Sequence, residues 1–121
     1  FEAPIDMLSF ISMHKENWRS QSYAAACCVG DQVLFQMLKL NPSIDTVYLC
    51  MDNDAAGQAA NKRISDKLSI QGIKHEILVP THKDWNEDRL AAGGNAPHIR
   101  AELSLPQEES EEEEICQTLQ F

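Results

Sequence analysis

The sequence predicts an α/β fold: a mainly parallel sheet of about four strands, covered by helices on both faces. Short apolar runs rich in β-branched and aromatic residues alternate with stretches whose apolar residues recur at helical spacing. Such alternation needs crossover connections, which make neighbouring strands parallel and put helices on both faces. Acidic residues then fall at the ends of the predicted strands, the edge at which such sheets bind ligands.

Each element has its own signal. Phe1 and Glu2 read as the end of a first strand. The chain has no initiator Met and opens inside this element, so a truncated first strand and a longer parent protein are expected. From Ile5 to Trp18 the apolar residues Ile5, Leu8 and Ile11, with Met7, Phe10 and Trp18, favour a helix, and Pro4 suits its first turn. "SYAAACCVG", Ser22 to Gly30, is short and apolar and fits a buried strand. Asp31 is a plausible cap for a helix carrying Val33, Leu34, Met37 and Leu38. After Asn41-Pro42-Ser43, "TVYLCM" (Thr46 to Met51) reads as a buried strand. Ala55 to Gly72 reads as a helix with Ala56, Ala60, Ile64 and Leu68 on one face and Gly72 as its stop. "KHEILVP", Lys74 to Pro80, is a further strand, and "HKDWNEDRLAAGG" a turn with a short helix. Trp18 and Tyr48 are expected in the core, while Trp85 has no assigned place.

The 121 residues fit one domain able to bury a core without staples. No apolar run approaches the roughly 20 residues that span a bilayer, and no export signal is visible, so a cytoplasmic location is expected. The net charge of -9 is uneven. Residues 102–121 carry seven Glu and no Lys or Arg, leaving 12 acidic against 10 basic residues elsewhere. The division is thus a domain over residues 1–100 and an acidic, poorly ordered tail or linker over 101–121. Cys27, Cys28, Cys50 and Cys116 show no metal-ligand spacing, and small buried thiols in a reduced interior fit them. His14, His75, His82 and His98 are scattered and read as surface or half-buried side chains.

Chemistry concentrates in "MDNDAAGQAANKR", where a strand ends in Asp52 and Asp54. Adjacent carboxylates raise one another's pKa unless a cation balances them, and Mg²⁺ suits one or two carboxylates with waters and phosphate oxygens. A calcium loop is excluded, because Ala56 and Arg63 stand where it needs an acid or amide and a glutamate. An aspartyl-nucleophile phosphatase would follow the pair with Gly and Thr or Val instead of Ala55 and Ala56. A turn whose Asp54 merely caps the next helix fits this pair taken alone.

The wider constellation is more specific. "EAPID" at the first strand end, "CCVG" at the second, "MDNDAAGQAANKR" at the third and "KDWNEDRL" downstream resemble the TOPRIM domain of bacterial primases, topoisomerases and certain nucleases. The likeness runs from Phe1 to about Leu90 and is strongest to primase-like TOPRIM proteins of mobile elements in Gram-positive bacteria. It implies a Rossmann-like TOPRIM fold, with Glu2 as general acid/base and Asp52 and Asp54 holding Mg²⁺, with Mn²⁺ as an alternative. It further implies Asp6 as a supporting ligand, Asp84 as the downstream aspartate, Asn86 in place of a second acid, and Gly30 and Gly57 as structural glycines near the phosphates. Ala3 replaces the family's Gly, and Gln58 an Arg.

The implied activity is nucleotidyl transfer in RNA-primer synthesis, with DNA or RNA and nucleotides as partners and a zinc ribbon upstream in the parent protein. This fragment alone is expected to be inactive. Lys62, Arg63, Lys67, Lys83 and Arg89 are the basic residues available for nucleic acid, against a reading as ordinary solvated surface. A nuclease using the same metal site and a non-catalytic nucleic-acid- or partner-binding module stay open as alternatives. A topoisomerase fits less well, since Tyr23 and Tyr48 both sit in predicted strands.

Overall fold

The computed structural model describes residues 1–28 and 30–93. The expectations for the acidic tail, Cys116 and His98 lie outside the described residues. Helix α1 (Pro4–Met13) is followed by a 3₁₀ turn at Trp18–Ser20, α2 (Gln32–Leu40), β1 (Thr46–Leu49), α3 (Ala55–Ile70), β2 (Lys74–Ile77) and α4 (Trp85–Ala91). β1 and β2 pair in parallel, Thr46 opposite Lys74 and Leu49 opposite Ile77. Leu78 N donates to Leu49 O and carries the ladder one step further. Among the described residues no helix is long and apolar enough to cross a membrane.

The described residues therefore give an α/β fold with two paired strands, fewer than the four expected. Tyr23–Ala26 is not a sheet strand: among the described residues its ladder contact is with Phe1 alone. Phe1 N donates to Ala24 O, and Ala26 N to Phe1 O, which is the parallel pattern confined to one residue. A cavity of about 460 Å³ lies alongside, walled by Ser20–Ala24, by Thr46–Leu49 and by Leu34 and Met37 of α2. Tyr48 faces that space and is half exposed rather than core, and Trp18 falls beyond α1, in the exposed 3₁₀ turn. Cys27 and Cys28 are exposed as well, since Cys27 bends the chain out of the extended segment at φ 59°.

The core is built where strand and helix periods coincide. Val47, Leu49 and Met51, two residues apart on one sheet face, meet Ala60, Ile64 and Leu68 of α3, with Leu34, Phe35 and Leu38 of α2 alongside. α3 starts on the Asp54 cap, whose Oδ1 accepts Gly57 N at 2.8 Å. It ends at Gly72, which takes φ 69°, with Gly72 N on Ser69 O and Ile73 N on Leu68 O. That is the left-handed stop glycine permits.

The inward face of α3 departs from the expected one. Ala56 is exposed, and Gly57 and Asn61 are buried instead. Among the described residues neither end of the Asn61 amide has a hydrogen-bond partner. A buried, unpaired polar group costs about 1–3 kcal/mol. Asn61→Ala, which also improves helix propensity, is expected to raise stability by about 1 kcal/mol, the reverse of most core truncations, read as a shift of the urea midpoint.

Candidate metal centre

Beyond β1 the chain runs through the buried Cys50 and Met51 and brings Asp52 to the carboxyl edge of the sheet. There Asp52 N donates to Glu2 Oε2 at 3.1 Å, which ties the start of the chain to the end of β1. The Asp52 Oδ1 atom is buried and, among the described residues, has no hydrogen-bond partner. Burial, then the Glu2 carboxyl beside it and the charges of Asp6 and Asp84, push the Asp52 carboxyl up to about 7. Glu2, Asp6, Asp52 and Asp84 thus act on one another from three separated segments. Asp54 lies next to them in the chain, but one of its oxygens is engaged as the α3 cap. Gly57 lets α3 approach: a Cβ there would stand 2.1 Å from the Asp52 carbonyl oxygen.

The fourth carboxylate is set by α4. Asp84 caps that helix through Oδ1, accepting Glu87 N at 2.8 Å. Trp85, which follows, is buried and donates Nε1–H to Cys50 O at 3.1 Å, while Phe10 of α1 meets its ring edge-on with centroids 5.0 Å apart. Asn86 N donates to Asp6 Oδ1 at 3.2 Å, and Ser9 Oγ to Asn86 Oδ1 at 3.2 Å. Asp6 is only 3% exposed, and burial raises its pKa above the ordinary carboxylate value.

The sequence offered two signals for this half of the site: Asp84 and Glu87 stand at cap spacing, and Trp85 is a large apolar residue in an otherwise polar loop. A second group it did not indicate is the staple under the loop between β2 and α4. Asp88 accepts Thr81 N, His82 N and His82 Nδ1, the last at 2.6 Å. Asn53 N donates to Lys83 O at 2.6 Å and fastens that loop to the Asp52–Asp54 turn.

The basic residues are less available than their number suggests. Lys62 pairs with Asp66 at 3.1 Å one turn along α3, and Lys67 bridges to Asp31 of the α2 cap. Arg63 stands close enough to Asp31 to help hold that carboxylate below its usual range, after the Lys67 hydrogen bond. Arg89 reaches Asn86 Oδ1 at 3.5 Å. Lys83 lies in the stapled loop beside the acidic residues, its backbone N bonded to Glu87 Oε2. Gly30 lines the cavity beside α2.

Hard oxygen donors and a buried carboxylate oxygen with no hydrogen-bond partner among the described residues fit a hard divalent cation. Among the described residues no three acidic, histidine or cysteine side chains form a ready-made cage. Mg²⁺ does not need one, because it keeps several waters and is completed by phosphate oxygens.

Two curated relatives resemble the chain. An uncharacterized protein of Bacillus anthracis is 28% identical over 103 residues, which cover 73% of this chain and 30% of that protein. The DNA primase of Mycoplasma pneumoniae is 37% identical over 57 residues, covering 45% of this chain and 9% of the primase. The chain spans less than a third of the length of either relative. No solved structure matches it. The Toprim-like family matches residues 1–89, a span that holds Glu2, Asp6, Asp52, Asp54 and Asp84 together, and the chain belongs to that family.

Proposed function

We propose that the chain is the Mg²⁺-dependent TOPRIM domain of a primase-like DNA-processing protein of a mobile element, serving nucleotidyl or phosphoryl transfer. The observation that carries this is the buried Asp52 Oδ1, without a partner among the described residues, in a carboxyl on which Glu2, Asp6 and Asp84 act at the carboxyl edge of the sheet. The partial likeness to a DNA primase supports primer synthesis over other phosphoryl transfers. Asp52 and Asp84, with the oxygen of Asp54 that does not cap α3, would hold the cation. When bound, Mg²⁺ or Mn²⁺ supplies positive charge that neutralises these carboxylates and polarises phosphate oxygens. Glu2, hydrogen-bonded to the Asp52 backbone, is held where it can accept a proton from an attacking hydroxyl. Lys83 and Arg89 are the cations nearest in the chain to Asp84 and face the phosphates in this reading.

The four-stranded sheet belongs to the same proposal. Phe1 already bonds to Ala24 and Ala26 in the parallel pattern, and the cavity of about 460 Å³ lies between Ser20–Ala24 and Thr46–Leu49, where a further strand would stand. A parent protein with an upstream zinc ribbon, working on DNA or RNA in the reduced cytoplasm, completes it. A non-catalytic nucleic-acid- or partner-binding module is the second reading; the ion pairing of Lys62 and Lys67, which leaves little free positive charge for nucleic acid, favours its partner-binding form.

Titration of the chain with Mg²⁺ and Mn²⁺ by calorimetry or NMR, with and without a nucleoside triphosphate, tests the proposal. Saturable binding strengthened by the nucleotide is the expected result. No response to millimolar metal in either titration, with the chain shown to be folded, would leave the binding-module reading.

A further inference from the structure

We infer that Asp6 is a positioning residue of the acidic centre rather than one of its metal ligands: its carboxylate holds the first turn of α4, and so places Asp84 beside Glu2 and Asp52. For its consequence on metal binding the inference rests on the reading of the centre given above; for its geometry it does not.

The orientation of α1 is the first support. Ile5 and Leu8 are 54% and 58% exposed, whereas Asp6 and Ser9 are 3% and 2% exposed. The helix leaves these two apolar residues to solvent and turns Asp6 and Ser9 inward, while Met7, Phe10 and Ile11 are half-buried. Burying a carboxylate and a hydroxyl is unfavourable unless both find partners, so the contact they make must set the orientation. They find it in a single residue. Asp6 and Ser9, one turn apart on the same face, take hold of Asn86 at its two ends: backbone N–H to Asp6 Oδ1 and side-chain Oδ1 from Ser9 Oγ.

Asn86 is well placed to transmit that grip. Asp84 and Trp85 precede it directly, and Trp85 is fixed on its other side by Cys50 O and by the Phe10 ring. Asp84, as the cap of α4, moves with this turn. One bracket from α1 therefore fixes the relation between the first acidic motif and the downstream aspartate. Partners that orient a metal-binding carboxylate in this way commonly cost about 10–100-fold in metal affinity when removed.

Asparagine separates the two roles, because its side-chain oxygen still accepts the Asn86 N–H while it cannot serve as an anionic ligand. In a Mg²⁺ titration followed by NMR on the full chain at pH 8, Asp6→Asn is expected to keep affinity within about threefold, and Asp6→Ala to lose about tenfold or more. The Asn86 amide resonance should stay near its wild-type position in Asp6→Asn and shift in Asp6→Ala. A tenfold loss in Asp6→Asn would overturn the inference, as would an Asn86 amide unmoved by Asp6→Ala. If Asp6→Ala does not fold, Asp6→Asn alone decides between the roles. If the wild type shows no Mg²⁺ response even with nucleotide, the metal reading fails, and with it the consequence drawn for Asp6. The Asn86 resonance then still decides the bracket.

Discussion

Asp52→Asn is expected to make the metal-free protein more stable at pH 8 while abolishing its response to Mg²⁺. The Asp52 carboxyl is raised from 3.8 to about 7 by burial and by Glu2. A raised carboxyl holds its proton to higher pH in the folded chain than in the unfolded one. Its contribution to stability is therefore complete below about pH 3.8 and is lost as pH rises through 7. At pH 8 the folded protein carries an ionised, half-buried Asp52 against Glu2. Removing that charge is expected to return on the order of 1–3 kcal/mol, reduced from the full value of the shift because solvent reaches part of the group. The asparagine amide can also donate to Glu2, turning a repulsive contact into a hydrogen bond.

The same shift fixes how metal binding depends on pH. Proton and cation compete for Asp52, so Mg²⁺ affinity should rise between pH 6 and pH 8 and the melting temperature should gain more from Mg²⁺ at the higher pH. Melting curves of wild type and Asp52→Asn at pH 5 and pH 8, with and without 10 mM MgCl₂, check every part. A variant that is less stable at pH 8 and still gains from Mg²⁺ would show that Asp52 is a structural carboxylate and the centre lies elsewhere.

What the sequence revealed of this site divides by distance along the chain. β1, the Asp54 cap and α3 are local. The apolar run, the small-residue turn and the Gly72 stop lie within 27 residues of one another, and each acts through its own backbone. The same holds for Asp84 at the start of α4. α1 was legible as a helix but not in its orientation. Ile5 and Leu8 of its apolar series are exposed while Asp6 and Ser9 face inward, because Asn86, 80 residues from Asp6, supplies partners for both. No pattern within α1 encodes that partner. The Tyr23–Ala26 segment fails for a related reason: strand propensity makes a strand only where a neighbour offers a ladder, and among the described residues Phe1 alone does so there. Asn61 stands three residues before Ile64 and seven before Leu68, a spacing that points to the core, but its polar side chain beside two basic residues hides that position.

Gly57→Ala should be the most damaging conservative substitution in the chain, although helix propensity predicts the opposite. Gly57 is the third residue of α3, in a helical conformation, where alanine is ordinarily favoured over glycine by about 1 kcal/mol. The space decides against it. A Cβ at position 57 would lie 2.1 Å from Asp52 O, 2.9 Å from its carbonyl carbon and 3.0 Å from its nitrogen, all backbone atoms. That backbone has no freedom to withdraw. Asp52 N is bonded to Glu2, Asn53 N to Lys83 O, and the Asn53 side chain donates to Pro80 O at 3.3 Å. Relief must therefore come from moving α3 off the sheet, which opens the packing of Ala60, Ile64 and Leu68 against β1. The expected loss is about 3 kcal/mol or more, the upper part of the range for overpacking, and any molecules that remain folded should hold Mg²⁺ more weakly because Asp52 has shifted. Gln58→Ala, at the next and exposed position, serves as the control and should change stability by less than about 0.5 kcal/mol. Urea denaturation of the two variants separates the explanations. If Gly57→Ala matched or exceeded the wild-type midpoint, the close approach of α3 to the Asp52 backbone would not be a feature of the protein in solution, and the buried environment assigned to Asp52 would lose its structural basis.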